Sequence, residues 1–193
     1  IEAAARVVGD PSRVAVDANG RFDLATALAY NRELEQIGPK WYEEAGDPLD
    51  YRLQAMLGEV STLPMATGEN LFSLIDTRNL VRYAGLNPER DYIQVDPVLS
   101  YGVVEYLRIL RMLRTCGWSA GRCIPHGGHQ LTLHIAAAFG LYGNEAYPEV
   151  FQPFSGFHDG ATIEQGFVTL PDAPGIGFEL KDSLRTLFHS LHT

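Results

Sequence analysis

Two cysteines are all that this 193-residue chain contains, Cys116 and Cys123. Their seven-residue separation fits neither a Cys-x-x-Cys redox pair nor half of a zinc site. Reduced, partly buried thiols of a cytoplasmic protein are the expectation. Long apolar runs are missing as well. The most apolar stretch, LTLHIAAAFGLYG at 131–143, carries His134 and falls short of the ~20 residues that a membrane span requires. No signal peptide is visible, and residues 1–8 read as the tail of a helix. Positive charge is scarce: 15 Lys and Arg stand against 24 Asp and Glu, for a net charge of −9. A nucleic-acid partner, which needs a basic stripe to neutralise phosphate, is therefore not expected. Arg108, Arg111 and Arg114 make only a short helical stripe, the pattern of a solvated face. No glycine-rich turn follows the first strand-like segment, so the dinucleotide-binding signature is absent.

What the chain does have is a recurring unit. Hydrophobic residues make up 46% of it, enough for one domain with a sizeable core. Strand-like RVAVD (13–17) leads to DLATALAYNRELEQIG (23–38), a helical pattern with Asp23 as its N-cap. PKWYEE (39–44) leads to LDYRLQAMLGEVS (49–61), and LPMATGE (63–69) to NLFSLIDTRNLVRYAGL (70–86). DYIQVD (91–96) leads to SYGVVEYLRILRMLRTCG (100–117), and RCIPH (122–126) to HQLTLHIAAAFG (129–140). NEAYPE (144–149) reads as one last short strand. The strands are nearly uniformly apolar, as in a parallel sheet covered by helices.

The predicted fold class is therefore α/β: the C-terminal part, about six βα units, of a (β/α) barrel of TIM type. A closed barrel takes about eight strands and ~250 residues, so the first strands are expected to lie outside this chain. Residues 1–150 are expected to form the partial barrel. Residues 151–193 are expected to form a tail packing on it, with a hairpin around 163–170 and an amphipathic helix near 181–192.

Each strand-like segment ends on a polar residue. Asp17, Glu43, Glu69, Asp96, His126 and Glu145 follow one another at intervals of 26, 26, 27, 30 and 19 residues. A barrel brings such positions to one rim, where barrel enzymes carry out their chemistry. Three carboxylates converging there need a cation between them, and hard oxygen donors favour Mg²⁺; Asp17, Glu43 and Glu69 are the candidate ligands. His126 is the candidate proton-transfer group, with Asp96 fixing its tautomer. Glu145 faces the other side of a substrate and would donate a hydrogen bond if burial raised its pKa.

Singly, each has a plainer role: Asp17 in DANG as a turn residue, Glu43 and Glu44 as a solvated pair, Glu69 as a helix opener. Asp96 before Pro97 and His126 before two glycines could be ordinary loop residues, and Glu145 a surface acid. The matched register across consecutive units is what joins them into one site. His129, one turn beyond His126, reads as part of a helix start, with a substrate contact as its alternative, and His134 as a core or interhelical histidine. His158, His189 and His192 show no metal-ligand pattern.

VDANG (16–20), WYEEA (41–45), ATGEN (66–70), QVDP (94–97) and IPHGG (124–128) resemble the metal and acid–base motifs of the enolase superfamily. The His–Asp arrangement is similar to that of its mandelate-racemase-like subgroup. Nearly the whole chain is covered, the PDAPGIGFEL stretch included. WYEEAGDPLDY, GENLFSLIDTRNL and IPHGGHQLTLHIAAAFGLYGNEAYPEVFQPF are most similar to the branch acting on tartrate. The resemblance implies Mg²⁺ on Asp17, Glu43 and Glu69, a His126–Asp96 dyad, and a substrate contact at Glu145. It implies dehydration of a 2,3-dihydroxy acid, tartrate giving oxaloacetate, by α-proton abstraction through a metal-stabilised enediolate.

Members of the family carry a Lys-x-Lys motif upstream and an N-terminal capping domain. This chain has only Lys40 and Lys181, neither in such a motif. The second acid/base lysine is thus expected in an N-terminal remainder of the same protein, as the base, with His126 as the acid. The remaining expectations are a small acid-sugar substrate and a homo-oligomer. Another acid-sugar dehydratase, or a racemase or epimerase of a hydroxy acid, would use the same residues. A non-catalytic barrel fragment or binding module is the alternative from another class.

Overall fold

A computed structural model describes residues 1–147 and 149–191. Helix α1 (Glu2–Val8) precedes four βα units. These are β1 (Ala15–Asp17) with α2 (Leu24–Ile37), β2 (Trp41–Glu43) with α3 (Tyr51–Gly58), β3 (Met65–Thr67) with α4 (Leu74–Tyr83), and β4 (Tyr92–Ile93) with α5 (Val103–Thr115). The four strands form one parallel sheet in the order β1-β2-β3-β4. Asp17 lies opposite Glu43, Glu43 opposite Ala66, and Thr67 opposite Ile93. Helices α2, α3 and α4 start where a side chain can accept an orphan backbone N–H. Asp23, Asp50 and Ser73 do so for α2, α3 and α4, each contribution being about 1 kcal/mol.

The fifth and sixth predicted strands differ from expectation. The RCIPH segment meets the sheet through a single parallel bridge, Ile93 to Cys123, with Ile124 N–H donating to Ile93 C=O at 2.9 Å. Pro125 follows at once, and a residue without an N–H ends the ladder there. Tyr142 N–H then donates to the Cys123 carbonyl at 3.0 Å, which carries the chain back beside this bridge after α6 (Gln130–Phe139). Residues 144–147 form no strand; the backbone carbonyl of Glu145 is taken up locally by the Asn144 amide at 2.8 Å. Pro148 lies outside the described residues.

The period-2 alternation of strands divides the core into two. Tyr42, Met65, Ile93 and Cys123 point to the helices and join Leu34, Leu57, Leu80, Ile109 and Leu113. Trp41, Ala66, Tyr92 and Ile124 form a second cluster on the opposite, concave face. Glu43, Gln94 and His126 each stand two residues beyond a member of that second cluster, so they share its face. β2, β3 and β4 are buried throughout, while β1 alternates exposed and half-buried.

Beyond residue 150 the chain forms an antiparallel hairpin, β5 (Ile163–Glu164) with β6 (Phe167–Val168), and a final helix α7 (Asp182–Ser190). Both are near the positions predicted, although His192 falls outside the described residues. Gln165 and Gly166 turn the hairpin with φ of 52° and 84°, the double positive φ of a tight hairpin turn. Cys123 is buried as expected, whereas Cys116 is exposed. Among the described residues no helix is long and apolar enough to cross a membrane.

Candidate active site

The C-terminal ends of the strands bring the acidic residues to one end of the concave face. Asp17 closes β1, and its carboxylate turns onto Asn19, accepting from the backbone N–H at 2.7 Å and the side-chain amide at 2.5 Å. Glu43 closes β2 and is buried. Its Oε2 accepts from Trp41 Nε1 at 2.7 Å and its Oε1 from Gln94 Nε2 at 2.8 Å. Burial, reinforced by the charges of Asp17 and Glu69, outweighs those hydrogen bonds and pushes the Glu43 carboxyl up to about 7.

Glu44 was expected to be solvated if it had no role. It is buried at φ 38°, with both oxygens 3.0 Å from the Asn70 amide, and burial pushes it too up to about 7. Glu69 lies in the loop after β3, within hydrogen-bonding reach of Glu43. Burial and the charges of Asp17 and Glu145 raise its pKa against the opposing pull of His126.

The donor chemistry of this cluster suits a hard divalent cation. Its acids all carry oxygen donors, and the mutual repulsion that adds to burial in raising the pKa values of Glu43 and Glu69 is what a cation would cancel. Among the described residues, however, no three acidic, histidine or cysteine side chains are set around one point as they stand. Asp17 is turned onto Asn19, and Glu43 onto Trp41 and Gln94.

His126 follows Pro125 and faces acids on two sides. Nδ1 is 3.3 Å from Asp96 Oδ2, and Nε2 is 3.7 Å from Glu69 Oε2. Burial disfavours its charged form, but the Asp96 hydrogen bond and the charges of Glu145 and Glu69 prevail and raise its pKa to about 9. Asp96 is itself buried. That alone would raise its pKa, yet the hydrogen bonds from His126 and from the Val98 N–H (2.6 Å), with the His129 imidazole close by, hold it well below the usual carboxylate range.

Glu145 meets the same cluster from the other side. Its Oε2 accepts from the Gly127 N–H at 2.8 Å and from the Tyr147 hydroxyl at 3.0 Å. Both contacts use Glu145 Oε2 as an acceptor, the Gly127 N–H and the Tyr147 hydroxyl being the donors. Gly127 (φ 106°) and Gly128 (φ 53°) are required by close approach. A Cβ on Gly127 would lie 2.8 Å from Asp96 Oδ2, and one on Gly128 would lie 2.6 Å from Tyr147 Cδ2.

Of the six residues named from sequence, the structure brings together Glu43 with Glu69, Glu69 with His126, and His126 with Asp96. Glu145 and Asp17 reach the cluster through charge. Trp41, Gln94, Asn70 and Tyr147 were missed. Trp41 and Gln94 stand two residues before Glu43 and Asp96, so the strand period put them on the same face; Tyr147 lies outside any strand, and Asn70 adjoins Glu69. A cavity of about 600 Å³ lies elsewhere, on the helix layer, lined by Leu110, Trp118, Phe139 and Leu141.

Comparison with known proteins gives this geometry a setting. A family model described as "Enolase C-terminal domain-like" matches residues 1–184. The chain is 29% identical over 185 residues to the L-talarate/galactarate dehydratase of Salmonella typhimurium, covering 96% of this chain and 44% of that protein. It is 29% identical over 198 residues to the arabinonate dehydratase of Saccharolobus solfataricus, covering 95% of this chain and 49% of that one. Among solved structures, the L-talarate dehydratase of Polaromonas sp. JS666, complexed with Mg and L-glucarate, superposes with a TM-score of 0.77 at 28% identity. That match covers 91% of this chain and 47% of that one. The chain thus spans about half the length of the relatives it matches.

Proposed function

The chain belongs to the enolase C-terminal domain-like family, and from that premise we propose that it is the metal-binding and proton-transfer half of a Mg²⁺-dependent acid-sugar dehydratase. The observation that carries this reading is His126. One nitrogen is engaged by a buried carboxylate, and the other faces the acids at the strand ends. The names of its relatives, dehydratases of talarate, galactarate and arabinonate, support the reaction class.

In this reading Asp17, Glu43 and Glu69 would hold the cation, which supplies positive charge opposite the substrate carboxylate as the α-proton leaves. Trp41 and Gln94 restrain the Glu43 carboxylate from below. Asp96 engages Nδ1 of His126, leaving Nε2 as the atom that delivers a proton to the departing β-hydroxyl. Glu145, with Tyr147 bonded to it, borders the substrate on the far side. The base would be a lysine of an N-terminal remainder. Residues 1–150 are the barrel part of this assembly and 151–193 its tail, in a protein that we take to be cytoplasmic and homo-oligomeric.

The substrate we favour is D-tartrate, giving oxaloacetate. The support is the likeness of WYEEAGDPLDY, GENLFSLIDTRNL and IPHGGHQLTLHIAAAFGLYGNEAYPEVFQPF to D-tartrate dehydratase. The test is product analysis by NMR on the complete protein with a panel of acid sugars and MgCl₂. A 2-keto acid and released water are expected, and His126→Asn should abolish their formation. Inverted stereochemistry without loss of water would replace dehydration by racemisation, and near-normal turnover by His126→Asn would remove the dyad from the mechanism.

A further inference from the structure

Asp96 faces a second imidazole that the proton-transfer pair does not use. His129 Nε2 lies 3.8 Å from Asp96 Oδ1, while His126 meets the other oxygen, Oδ2. The His129 side chain is 13% exposed, and its Nε2 is buried without a hydrogen-bond partner among the described residues. Its other ring nitrogen is committed. As N-cap of α6, Nδ1 accepts the Thr132 N–H at 3.3 Å, and the His129 N–H donates in return to the Thr132 hydroxyl at 3.1 Å. A ring nitrogen that accepts a hydrogen bond carries no proton, so the neutral imidazole must carry its proton on Nε2. That N–H faces Asp96.

We propose that His129 is a positioning residue: its helix-capping nitrogen fixes the tautomer whose Nε2–H restrains Asp96, and Asp96 in turn aims His126. The proposal rests on the reading of His126 as the proton-transfer group. Asp96 Oδ1 already accepts from Val98 N–H at 2.6 Å, and a carboxylate oxygen has room for a second donor. The 3.8 Å separation exceeds a hydrogen bond by about half an ångström, and contacts of this kind tighten when substrate is bound. The packing leaves little freedom otherwise. A Cβ on Gly127 would touch Asp96 Oδ2 at 2.8 Å and His129 Cδ2 at 2.9 Å together. The start of α6 is thereby coupled to the orientation of His126 through three side chains.

The test separates helix capping from positioning. Asn caps helices as well as His or better, but an amide engaged at the cap does not reproduce the far nitrogen of the ring. In the complete, ¹⁵N-histidine-labelled protein, the His129 ring should be protonated at Nε2 and bare at Nδ1. His129→Asn should keep the circular dichroism of the wild type and shift the signal of the His126 Nδ1–H upfield as Asp96 loosens. With D-tartrate and galactarate as probe substrates, kcat should fall about tenfold with KM changed less than about twofold. His129→Ala, which loses the cap as well, should add a loss of thermal stability. A His129 ring protonated at Nδ1, or an unmoved His126 signal in His129→Asn, overturns the proposal, as does an unchanged kcat in an active enzyme. If neither acid is turned over, the function proposed above is at fault for these substrates, and the two nuclear signals alone decide the role of His129.

Discussion

Glu43 shows how a single residue can be costly to the fold and useful to the site. Its carboxyl, like that of Glu44, is held at about 7 against an ordinary value of 4.5, chiefly by burial. The folded state therefore keeps protons that the unfolded chain would release, and this contribution to stability is complete below pH 4.5 and lost as pH rises through about 7. Asp96 runs the other way. Its pKa is depressed despite burial, so its contribution is present at neutral pH and is lost only in acid. We expect the Tm of the metal-free protein, measured in EDTA, to fall between pH 4.5 and 7, the window of the two glutamates. The double variant Glu43→Gln, Glu44→Gln should flatten that slope; an equal slope in the variant would show that these two acids are not its source.

Gly127 makes a different prediction at the same scale. An alanine there would suffer the strain of φ 106° and would also press a methyl group on Asp96. Gly9 has a similar positive φ of 78° with nothing within 4 Å, and so isolates the backbone cost, about 1 kcal/mol. Gly127→Ala should cost clearly more than Gly9→Ala in urea unfolding, and it alone should lower kcat. Equal costs would mean that the Asp96 contact is relaxed without penalty.

At the scale of elements, what joins the strands is partly side chain. Asp91, fully buried before β4, accepts from the backbone N–H of Met65 at the head of β3 (2.9 Å), from that of Asn87 (2.7 Å) and from Arg90 Nε (2.7 Å). Arg90 also reaches the Ser61 carbonyl at 2.7 Å. Asp91→Ala leaves the buried Met65 N–H, the Asn87 N–H and a guanidinium without their acceptor. It should cost about 3 kcal/mol or more in urea unfolding while leaving kcat intact, since Asp91 precedes its strand and the site follows it. A loss below about 1 kcal/mol would mean that water replaces the carboxylate.

This is also the scale at which the sequence was readable. Apolar periodicity and an N-cap such as Asp23 are local signals, and α2 through α6 formed within the segments that carried them. Strand pairing is not local. The segment around Ile124 looked like any other strand, and only the ladder reveals that Pro125 reduces it to one bridge. The carboxylates were legible because each ends a unit. Their partners were not, because the bond between Gln94 and Glu43 spans 51 residues and exists only once two strands between them are folded. The acceptor contacts of Glu145 depend on Gly127 and Tyr147, which no spacing ties to it.

For the molecule as a whole, the parallel sheet concentrates negative charge at one end of a chain already at −9. Asp17, Glu43, Glu44 and Glu69 each feel at least one of the others, and the metal-free fold carries that repulsion. A ligand that binds the native state alone converts the liability into stability by mass action, about 2.7 kcal/mol when present at one hundred times its Kd. For a domain of this size that is a rise in Tm of roughly 5 °C. We expect the complete, EDTA-stripped protein to show such a rise with MgCl₂ and no comparable rise with NaCl of equal ionic strength. Glu69→Gln should act in opposite directions on the two curves. It removes one of the repelling charges and so raises the metal-free Tm, and it removes one of three proposed ligands and so diminishes the response to Mg²⁺. A structural carboxylate would change the first curve without the second, and an undiminished Mg²⁺ response in Glu69→Gln would take Glu69 out of the metal site. The two opposed shifts together are the signature of acids kept close at the expense of the fold because a cation belongs among them.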